Sequence, residues 1–319
     1  MSRKPAAGFV DLLHGRAARA LALAALVALL TAVFWPALNT LLKFSFEHEH
    51  YSHIVLVPAI CAFILFLERR TIFAQATTAP RAALGLFAAS GLLFALGRRY
   101  LGAASENDQL SVTILAFVTA WVGAFMLCYG PAAFRAGHFA VLFPLLMVPI
   151  PDVVLDRVIS WIQIGSAEVC YLAFDLSGVP VHRNGFVFAL PGFTIEIATE
   201  CSGIRSSLAL LIMSLLSGHF FLKSTAAKTA LLLAALPLLI VKNGLRIVTL
   251  SVLALYVDPG FLTGELHRQG GVVFFLFALG ILGLVVRLLQ RAELARARRT
   301  AVREQRAAEP ESATLQTGS

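Results

Sequence analysis

The chain has 319 residues, of which 58% are hydrophobic and 14% charged, with a mean hydropathy of +0.81 and a formal net charge of +8. Soluble domains carry about 45 to 50% apolar and about 25% charged residues, so this composition excludes a water-soluble enzyme. Intrinsic disorder is excluded too, except over about 291–319, where hydrophobicity is low and charge is high. The basic residues lie between apolar runs and in that tail, not in a patch interleaved with aromatic residues, so no nucleic-acid partner is predicted.

Eight apolar runs are candidates for helices that cross a bilayer. A hydrocarbon core of roughly 30 Å needs about 20 mostly apolar residues. The runs cover about 18–42, 53–68, 82–97, 109–129, 133–150, 203–221, 229–256 and 270–289. The apolar core of the first run is too long for a cleavable signal peptide, so this helix is expected to be retained. The sequence therefore predicts an all-α polytopic membrane protein with about eight transmembrane helices.

Lys and Arg residues in the loops set the expected orientation of these helices. They are more numerous on the side that includes both termini, which places the termini in the cytoplasm. The longest loop segment, 151–201, then lies on the outer face. The predicted domains are a cytoplasmic N-terminus over 1–17, a transmembrane domain over 18–290 and a basic, disordered cytoplasmic tail over 291–319. Membrane lipid is the expected contact of the Arg-rich tail.

The outer segment is expected to begin with a helix and end with β structure. Apolar residues at helical spacing over 152–176 predict an interfacial or reentrant helix. The pattern then changes to period two, with turn signals at Asn184-Gly185 and Pro191-Gly192. A short β-hairpin-like element is therefore predicted on the outer face, immediately before Cys201.

The stretch Glu-His-Glu-His-Tyr-Ser-His over 47–53 suggests a metal site. Its spacing fits no common ligand pattern, which favours a hydrated loop over ligation by His48, His50 and His53. In that interpretation His53 caps or packs against the second helix. The sequence contains neither HExxH nor a Gly-rich phosphate loop. No metal and no cofactor are predicted.

One charged residue lies within a predicted span and needs an explanation. Arg246 ends the polar stretch 242–246 in the seventh apolar run, where an ionisable residue costs about 2.5 to 3.5 kcal/mol on insertion scales. Asp258 is about 18 Å of helix further on, too far for Arg246 to snorkel easily. Asn243-Gly244 is expected to loosen the helix and expose backbone groups that must line protein or water. A buried polar cavity is the predicted setting.

Cys201 stands at the predicted start of the sixth helix, one turn before Arg205. Helix N-termini and nearby cations lower the pKa of a thiol, and the thiolate is the nucleophile. The alternative is a packed cysteine at a helix end, as expected for the other three cysteines, which have apolar neighbours. His267, in the last outward loop, is either a solvated side chain or a catalytic imidazole.

In this topology the Cys201 thiol, the Arg246 guanidinium and the His267 imidazole all lie on the outer half of the membrane. Such a set can perform acyl transfer: the imidazole takes the thiol proton and later protonates the leaving amine, while the guanidinium holds the oxyanion. A competing hypothesis from another class is a transporter or channel in which Arg246 and Lys242 bind an anion near the midplane.

Five short stretches, in this order, are similar to a known family: Tyr51-Ser52-His53 with Leu56-Val57-Pro58, Pro144 through Pro151, Glu200 through Ser206, Asn243 through Ile247, and His267 with Gly271. By these stretches the chain resembles the exosortase/archaeosortase family of polytopic membrane transpeptidase-like enzymes. The resemblance covers about Phe46 to Leu289.

The resemblance implies site residues one by one. Cys201 falls on the family's nucleophile, Arg246 on its essential arginine and His267 on its third catalytic position. Histidine at that third position, rather than arginine, is typical of the bacterial branch. Three further polar residues are predicted to bind substrate or to support the catalytic residues: Arg205, Glu200 and Asn243.

The resemblance also implies a reaction and a location. The family cleaves a C-terminal sorting tail of exported proteins, made of a short motif, Pro-Glu-Pro in the commonest bacterial version, a transmembrane helix and an Arg-rich end. Cys201 would form a thioester with the retained protein, and an unknown acceptor nucleophile would release it. The expected location is the bacterial inner membrane, with the active site facing the periplasm. A catalytically idle member that only chaperones sorting tails is the third hypothesis.

Overall fold

The computed structural model describes residues 15–100, 102, 104–197, 203–262 and 265–315. The chain divides into two compact units, Met1–Arg157 and Val158–Ser319. In the described part of the first unit the α-helices are α1 (Arg16–Val33), α2 (Trp35–Glu47), α3 (Val57–Leu67), α4 (Arg69–Ile72), α5 (Pro80–Tyr100) and α6 (Glu106–Leu142), with 3-10 helices at Glu49–Leu56 and Phe143–Met147.

Proline and glycine explain the two breaks in the long helices of the first unit. Pro36 lies in the first turn of α2, where its missing N–H is tolerated, and its ring stops α1 from continuing past Phe34. Helix α6 is broken at Gly130, which has φ 70° and ψ −174° and is followed by Pro131. A Cβ at Gly130 would lie 2.5 Å from Oγ1 of Thr77, so glycine is also needed for the close approach of that loop.

Helix α7 (Asp152–Leu176) begins in the first unit and continues into the second. The described elements that follow are the strands β1 (His182–Asn184), β2 (Val187–Leu190) and β3 (Phe193–Glu196), the helices α8 (Ile204–Phe221), α9 (Thr225–Tyr256) and α10 (Glu265–Leu315), and a 3-10 helix at Pro259–Leu262. Ser224 caps α9 by accepting a hydrogen bond from the Ala227 N–H at 3.2 Å.

Two apolar clusters hold the second unit together. One joins α8, α9 and α10 through residues such as Leu210, Leu231 and Leu282. The other packs α7 and α9 against one face of the sheet, with Phe174 and Phe188 fully buried. Burial of such side chains is the main favourable term in folding, at about 25 cal/mol per Å² of apolar surface.

The all-α polytopic fold is confirmed. Within the described residues, six helices are long and apolar enough to span a membrane: Arg16–Val33, Pro80–Arg99, Glu106–Met147, Ile204–Phe221, Thr225–Tyr256 and Gly271–Ala301. A shorter apolar helix covers Tyr51–Leu67. Each of the eight predicted runs overlaps one of these helices, and the runs 109–129 and 133–150 share the helix that is broken at Gly130. The prediction of one helix over 18–42 is wrong, because α1 ends at Val33 and residues 35–42 belong to α2.

The predicted β element is also present, as a three-stranded antiparallel sheet in the order β1-β2-β3. Asn184 pairs with Val187, so the first turn is Gly185-Phe186, one residue later than expected, and Gly185 supplies the positive φ of 62°. The second turn is Pro191-Gly192 as predicted, with φ 92° at the glycine. Buried and exposed residues alternate along β2, which gives the sheet one packed and one exposed face.

Two expectations about helices differ from the structure. The expectation that Asn243-Gly244 loosens its helix is wrong, because α9 runs without interruption from Thr225 to Tyr256. Helix α10 continues to Leu315 over the segment predicted to be a disordered tail. The Arg and Glu residues that make this segment polar, and the Ala residues between them, are good helix formers, which accounts for its helical backbone.

Candidate active site

Three of the six predicted site residues have described side chains. Arg205 is exposed in the first turn of α8, Asn243 is fully buried in α9, and Arg246 is half-buried one turn further along α9. Cys201 and Glu200 lie outside the described residues. His267 belongs to the first turn of α10, and its side chain is not described.

Asn243 connects α9 with both α7 and the start of α8. Its Nδ2 donates a hydrogen bond of 3.0 Å to Oγ of Ser166 on α7, and both side chains are completely buried. Its Oδ1 faces Gly203, because a Cβ built on Gly203 would lie 2.7 Å from that oxygen. The amide therefore fixes the chain only two residues after Cys201.

Gly203 adopts a conformation that other residues avoid. As the N-cap of α8 it has φ 69° and ψ 23°, in the left-handed region. Its carbonyl accepts hydrogen bonds from the N–H of Ser207 at 2.9 Å and the hydroxyl of Ser206 at 3.0 Å. Positive φ and contact with Asn243 both require glycine at this position.

Lys242 is a buried charged residue that contacts the first turn of α8. Its side chain is 4% exposed, and its ammonium donates a hydrogen bond to Oγ of Ser206. Arg246 lies four residues later, hence one turn along the same side of α9, and its Nε atom is buried. Two positive charges are therefore held close together within the apolar second unit.

Helices α7 and α9 approach each other closely at Gly244. A Cβ at Gly244 would lie 2.5 Å from Cγ1 of Val169, and Sγ of Cys170 donates to the Gly244 carbonyl at 3.5 Å. Close packing of α7 against α9 accounts for Gly244, which was predicted to loosen α9. Cys170 is buried with the apolar cluster, and Cys61 and Cys128 are likewise free and buried, so the prediction of packed cysteines is confirmed for these three.

The other end of the 198–202 segment is also fixed by α7. Gln163 is 8% exposed and donates a hydrogen bond from Nε2 to the carbonyl of Ile197, whose N–H donates to Phe186 at 3.0 Å. Ile197 is itself buried. The segment that carries Glu200 and Cys201 is therefore attached at both ends to a well-packed scaffold.

A separate polar network lies in the first unit, where two of the family-like stretches meet. The hydroxyl of Tyr51 donates to Oδ1 of Asn107 at 2.9 Å, and Nδ2 of Asn107 donates to the Ile150 carbonyl at 2.7 Å and to Oδ1 of Asp152 at 2.6 Å. Oδ1 of Asp108 accepts from the N–H of Asp152 at 2.8 Å. The network fixes the segment that precedes α7.

His48 and His53 of the 47–53 stretch have separate local partners, and the side chain of His50 lies outside the described residues. Nε2 of His53 is 3.3 Å from the Leu146 carbonyl, and the ring of His48 stacks on Phe44 with centroids 4.0 Å apart. In the part of the chain that the structure describes, no group of three or more His, Cys, Asp or Glu side chains is arranged to hold a metal ion. Packing of His53 is the interpretation that these contacts support.

Sequence reasoning missed the residues that support the site. Ser166 and Gln163 are polar positions on one face of α7, and Ser206 is the hydroxyl partner of Lys242. Polar residues at i and i+3 on an otherwise apolar helix were a usable signal for the first two. Asn107 had no such signal, because its partners are far away in sequence.

Together, these observations define a polytopic membrane protein with a buried polar cluster at the start of α8. The family model described as Transmembrane exosortase matches residues 45–284, more than half of the chain. The chain therefore belongs to the transmembrane exosortase family, whose members are membrane sorting transpeptidases that process exported proteins with sorting signals. Comparison with curated proteins and with solved structures finds no match.

Proposed function

We propose that the chain is an integral membrane cysteine transpeptidase that cleaves the C-terminal sorting signal of exported proteins and transfers the retained part to an acceptor. Cys201 is the nucleophile, Arg246 stabilises the oxyanion and His267 transfers protons. The substrate tail consists of a short motif of the Pro-Glu-Pro type, a transmembrane helix and an Arg-rich end. The active site faces the periplasm, and both termini are in the cytoplasm of a bacterial cell.

The observation that carries this proposal is the convergence of α7, α8 and α9 around Asn243. Cys201 precedes Gly203 by two residues, and a trans chain spans at most about 3.8 Å per residue, which limits the distance between their Cα atoms to roughly 7.6 Å. Gly203 contacts Asn243, and Arg246 follows Asn243 by one helical turn. This convergence supports the proposal that nucleophile and guanidinium act in one region.

The chemistry proceeds in two acyl transfers. The Cys201 thiolate attacks the carbonyl carbon of the scissile peptide, and the oxyanion that forms accepts hydrogen bonds from the Arg246 guanidinium. The C–N bond then breaks, and the departing amine takes its proton from the His267 imidazolium. An acceptor nucleophile, deprotonated by the same imidazole, attacks the thioester and releases Cys201.

Three further residues support the reaction. Asn243 holds the backbone that leads from Cys201 into α8, by its contact with Gly203. Arg205 is exposed at the start of α8 and offers a cation to an acidic residue of the sorting motif or to the thiolate. Glu200 is proposed to orient an adjacent cationic group.

The domain limits and membrane placement form part of the proposal. Residues 18–290 form the transmembrane exosortase domain, with 1–17 and the basic tail 291–319 in the cytoplasm. Arg residues in the tail stay on the cytoplasmic side by the positive-inside rule and attract anionic lipid. The sheet and α7, in segment 151–201, then lie on the outer face.

The test is processing of an exported reporter protein that ends in such a tail, co-produced with the full chain. Cys201→Ala should leave the reporter full-length and membrane-bound, and Cys128→Ala, which changes a buried cysteine of the first unit, is the matched control. Arg246→Lys keeps the charge but loses the bidentate donor geometry, so processing should fall by about 10²- to 10³-fold, as for loss of an oxyanion donor.

Trapping distinguishes the competing hypotheses. Hydroxylamine should release the reporter from a Cys201 adduct in the wild type and from none in Cys201→Ala. Unchanged processing in Cys201→Ala would refute the cysteine mechanism. An anion transporter would instead keep its flux in Cys201→Ala and lose it in Arg246→Leu, and a chaperone of sorting tails would leave the Cys201 thiol unreactive at neutral pH.

A further inference from the structure

Lys242 is a charged residue of the site to which the proposed reaction gives no role. Its side chain is 4% exposed in the middle of α9. In the described part of the chain its ammonium has a single hydrogen-bond partner, the hydroxyl of Ser206. An ammonium has three donors, so two of them have no partner among the described residues.

Packing alone does not explain this lysine. An unpaired buried charge is unfavourable, and an apolar side chain of similar length would fill the same space without that cost. Lys242 also lies one turn from Arg246, and like charges at this spacing repel each other. A cation in this position therefore indicates that negative charge develops nearby at some stage of the reaction.

The contacts of Lys242 connect it to the backbone that follows the proposed nucleophile. Its ammonium binds Ser206, whose hydroxyl donates to the carbonyl of Gly203 at 3.0 Å. Cys201 is two residues before Gly203, so these contacts and the intervening chain limit the separation of thiol and ammonium to roughly 18 Å. The other charged residues of the proposed site are Arg205, Arg246, His267 and Glu200.

We infer that Lys242 is a positioning residue for Cys201: its buried ammonium holds the first turn of α8 through Ser206 and stabilises the thiolate over the thiol. This inference rests on the proposed function, because it gives Lys242 a role only if Cys201 is the nucleophile. At an effective dielectric constant of about 20, one positive charge at roughly 10 to 18 Å favours the thiolate by about 0.7 to 1.2 pKa units, or about 5- to 15-fold.

The test is the pH dependence of iodoacetamide alkylation in the detergent-solubilised full chain, followed by mass spectrometry of the peptide that contains Cys201. Lys242→Met should raise the midpoint by about one unit, a roughly tenfold loss of reactive thiolate below both midpoints. Lys242→Arg keeps the charge and should restore most of the shift. Ser206→Ala removes only the hydrogen bond and should give a smaller rise.

One control variant and two refuting outcomes make the result decisive. Ser214→Ala removes another buried α8 hydroxyl, one that donates to the Leu210 carbonyl at 2.8 Å, and should leave the midpoint unchanged. The inference is overturned if Lys242→Met does not move the midpoint, or if Ser206→Ala moves it as far as Lys242→Met. Failure of the proposed function is separate, since it is read from continued processing in Cys201→Ala.

Discussion

Replacement of Gly203 tests whether contact with Asn243 fixes the start of α8. Gly203 and Gly178 have nearly the same φ, 69° and 68°. A Cβ at Gly203 would lie 2.7 Å from Oδ1 of Asn243, whereas a Cβ at Gly178 would meet nothing within 4 Å. Gly178→Ala therefore measures backbone strain alone, and Gly203→Ala measures strain together with displacement of Asn243.

The expected magnitudes differ accordingly. A left-handed conformation costs a non-glycine residue about 1 to 2 kcal/mol, which is the prediction for Gly178→Ala. Displacing Asn243 also breaks its buried hydrogen bond to Ser166, which adds about 1 to 3 kcal/mol. Gly203→Ala should therefore destabilise the protein by about 2 to 5 kcal/mol. It should also reduce reporter processing, whereas Gly178→Ala should leave processing close to wild type.

The assay is thermal unfolding of the solubilised full chain, combined with a double-mutant cycle. Once Asn243 is replaced by alanine the clash is absent, so Gly203→Ala in that background should cost about as much as Gly178→Ala. Equal midpoints for the two single glycine variants would refute the reasoning. So would an excess cost at Gly203 that persists in the Asn243→Ala background.

Three other predictions follow from single contacts. Gly244→Ala should destabilise the chain by overpacking against Val169, by about 1 to 3 kcal/mol, and Val169→Ala should partly rescue it in thermal unfolding. Asn107→Leu should cost about 2 to 4 kcal/mol in the same assay, because it leaves several buried polar groups unpaired. The hydrogen bond from Arg183 lowers the pKa of Glu168, so this contact is complete above the unfolded pKa of the carboxyl and is lost as pH falls through the folded value. The protection factors of the β1–β2 hairpin, which correct hydrogen exchange for its intrinsic pH dependence, should therefore fall on acidification in the wild type but not in Glu168→Gln.

Each of these predictions has an outcome that contradicts it. If Val169→Ala does not improve Gly244→Ala, overpacking between α7 and α9 is not the cause. Thr113→Val removes an exposed α6 hydroxyl that bonds within its own helix, so equal losses for it and Asn107→Leu would argue against the buried network. A fall in protection factors on acidification that persists in Glu168→Gln would show that the carboxylate of Glu168 is not the cause.

Helix positions could be predicted from the sequence because hydrophobicity and length decide them. The run 229–256 coincides with α9, and 152–176 coincides with α7. The turn at Pro191-Gly192 was predictable because both residues have local backbone preferences that the turn requires. These features depend on neighbours in sequence, which periodicity and turn chemistry report well.

Features that depend on tertiary contacts could not be predicted in the same way. Asn243-Gly244 has the local signal of a weakened helix, yet Ser166 and Val169 of α7 pack against these residues and make the helix continuous. A Gly within a helix destabilises it by about 1 kcal/mol relative to Ala. The close packing of two helices stabilises the fold by more than that. The break at Gly130, by contrast, lies between the predicted runs 109–129 and 133–150, because glycine and proline give a local signal there.

The signs of two substitutions separate support of the fold from support of the reaction. Lys242→Met removes a buried charge with one described partner, so it should raise the thermal midpoint while it lowers the reactivity of Cys201. Gly203→Ala should lower both quantities, because it disturbs the packing that the site depends on. A lysine kept only for the fold would give the opposite result, a lower midpoint in Lys242→Met with unchanged thiol reactivity. Measurement of both quantities in both variants therefore decides whether the buried charge serves stability or chemistry.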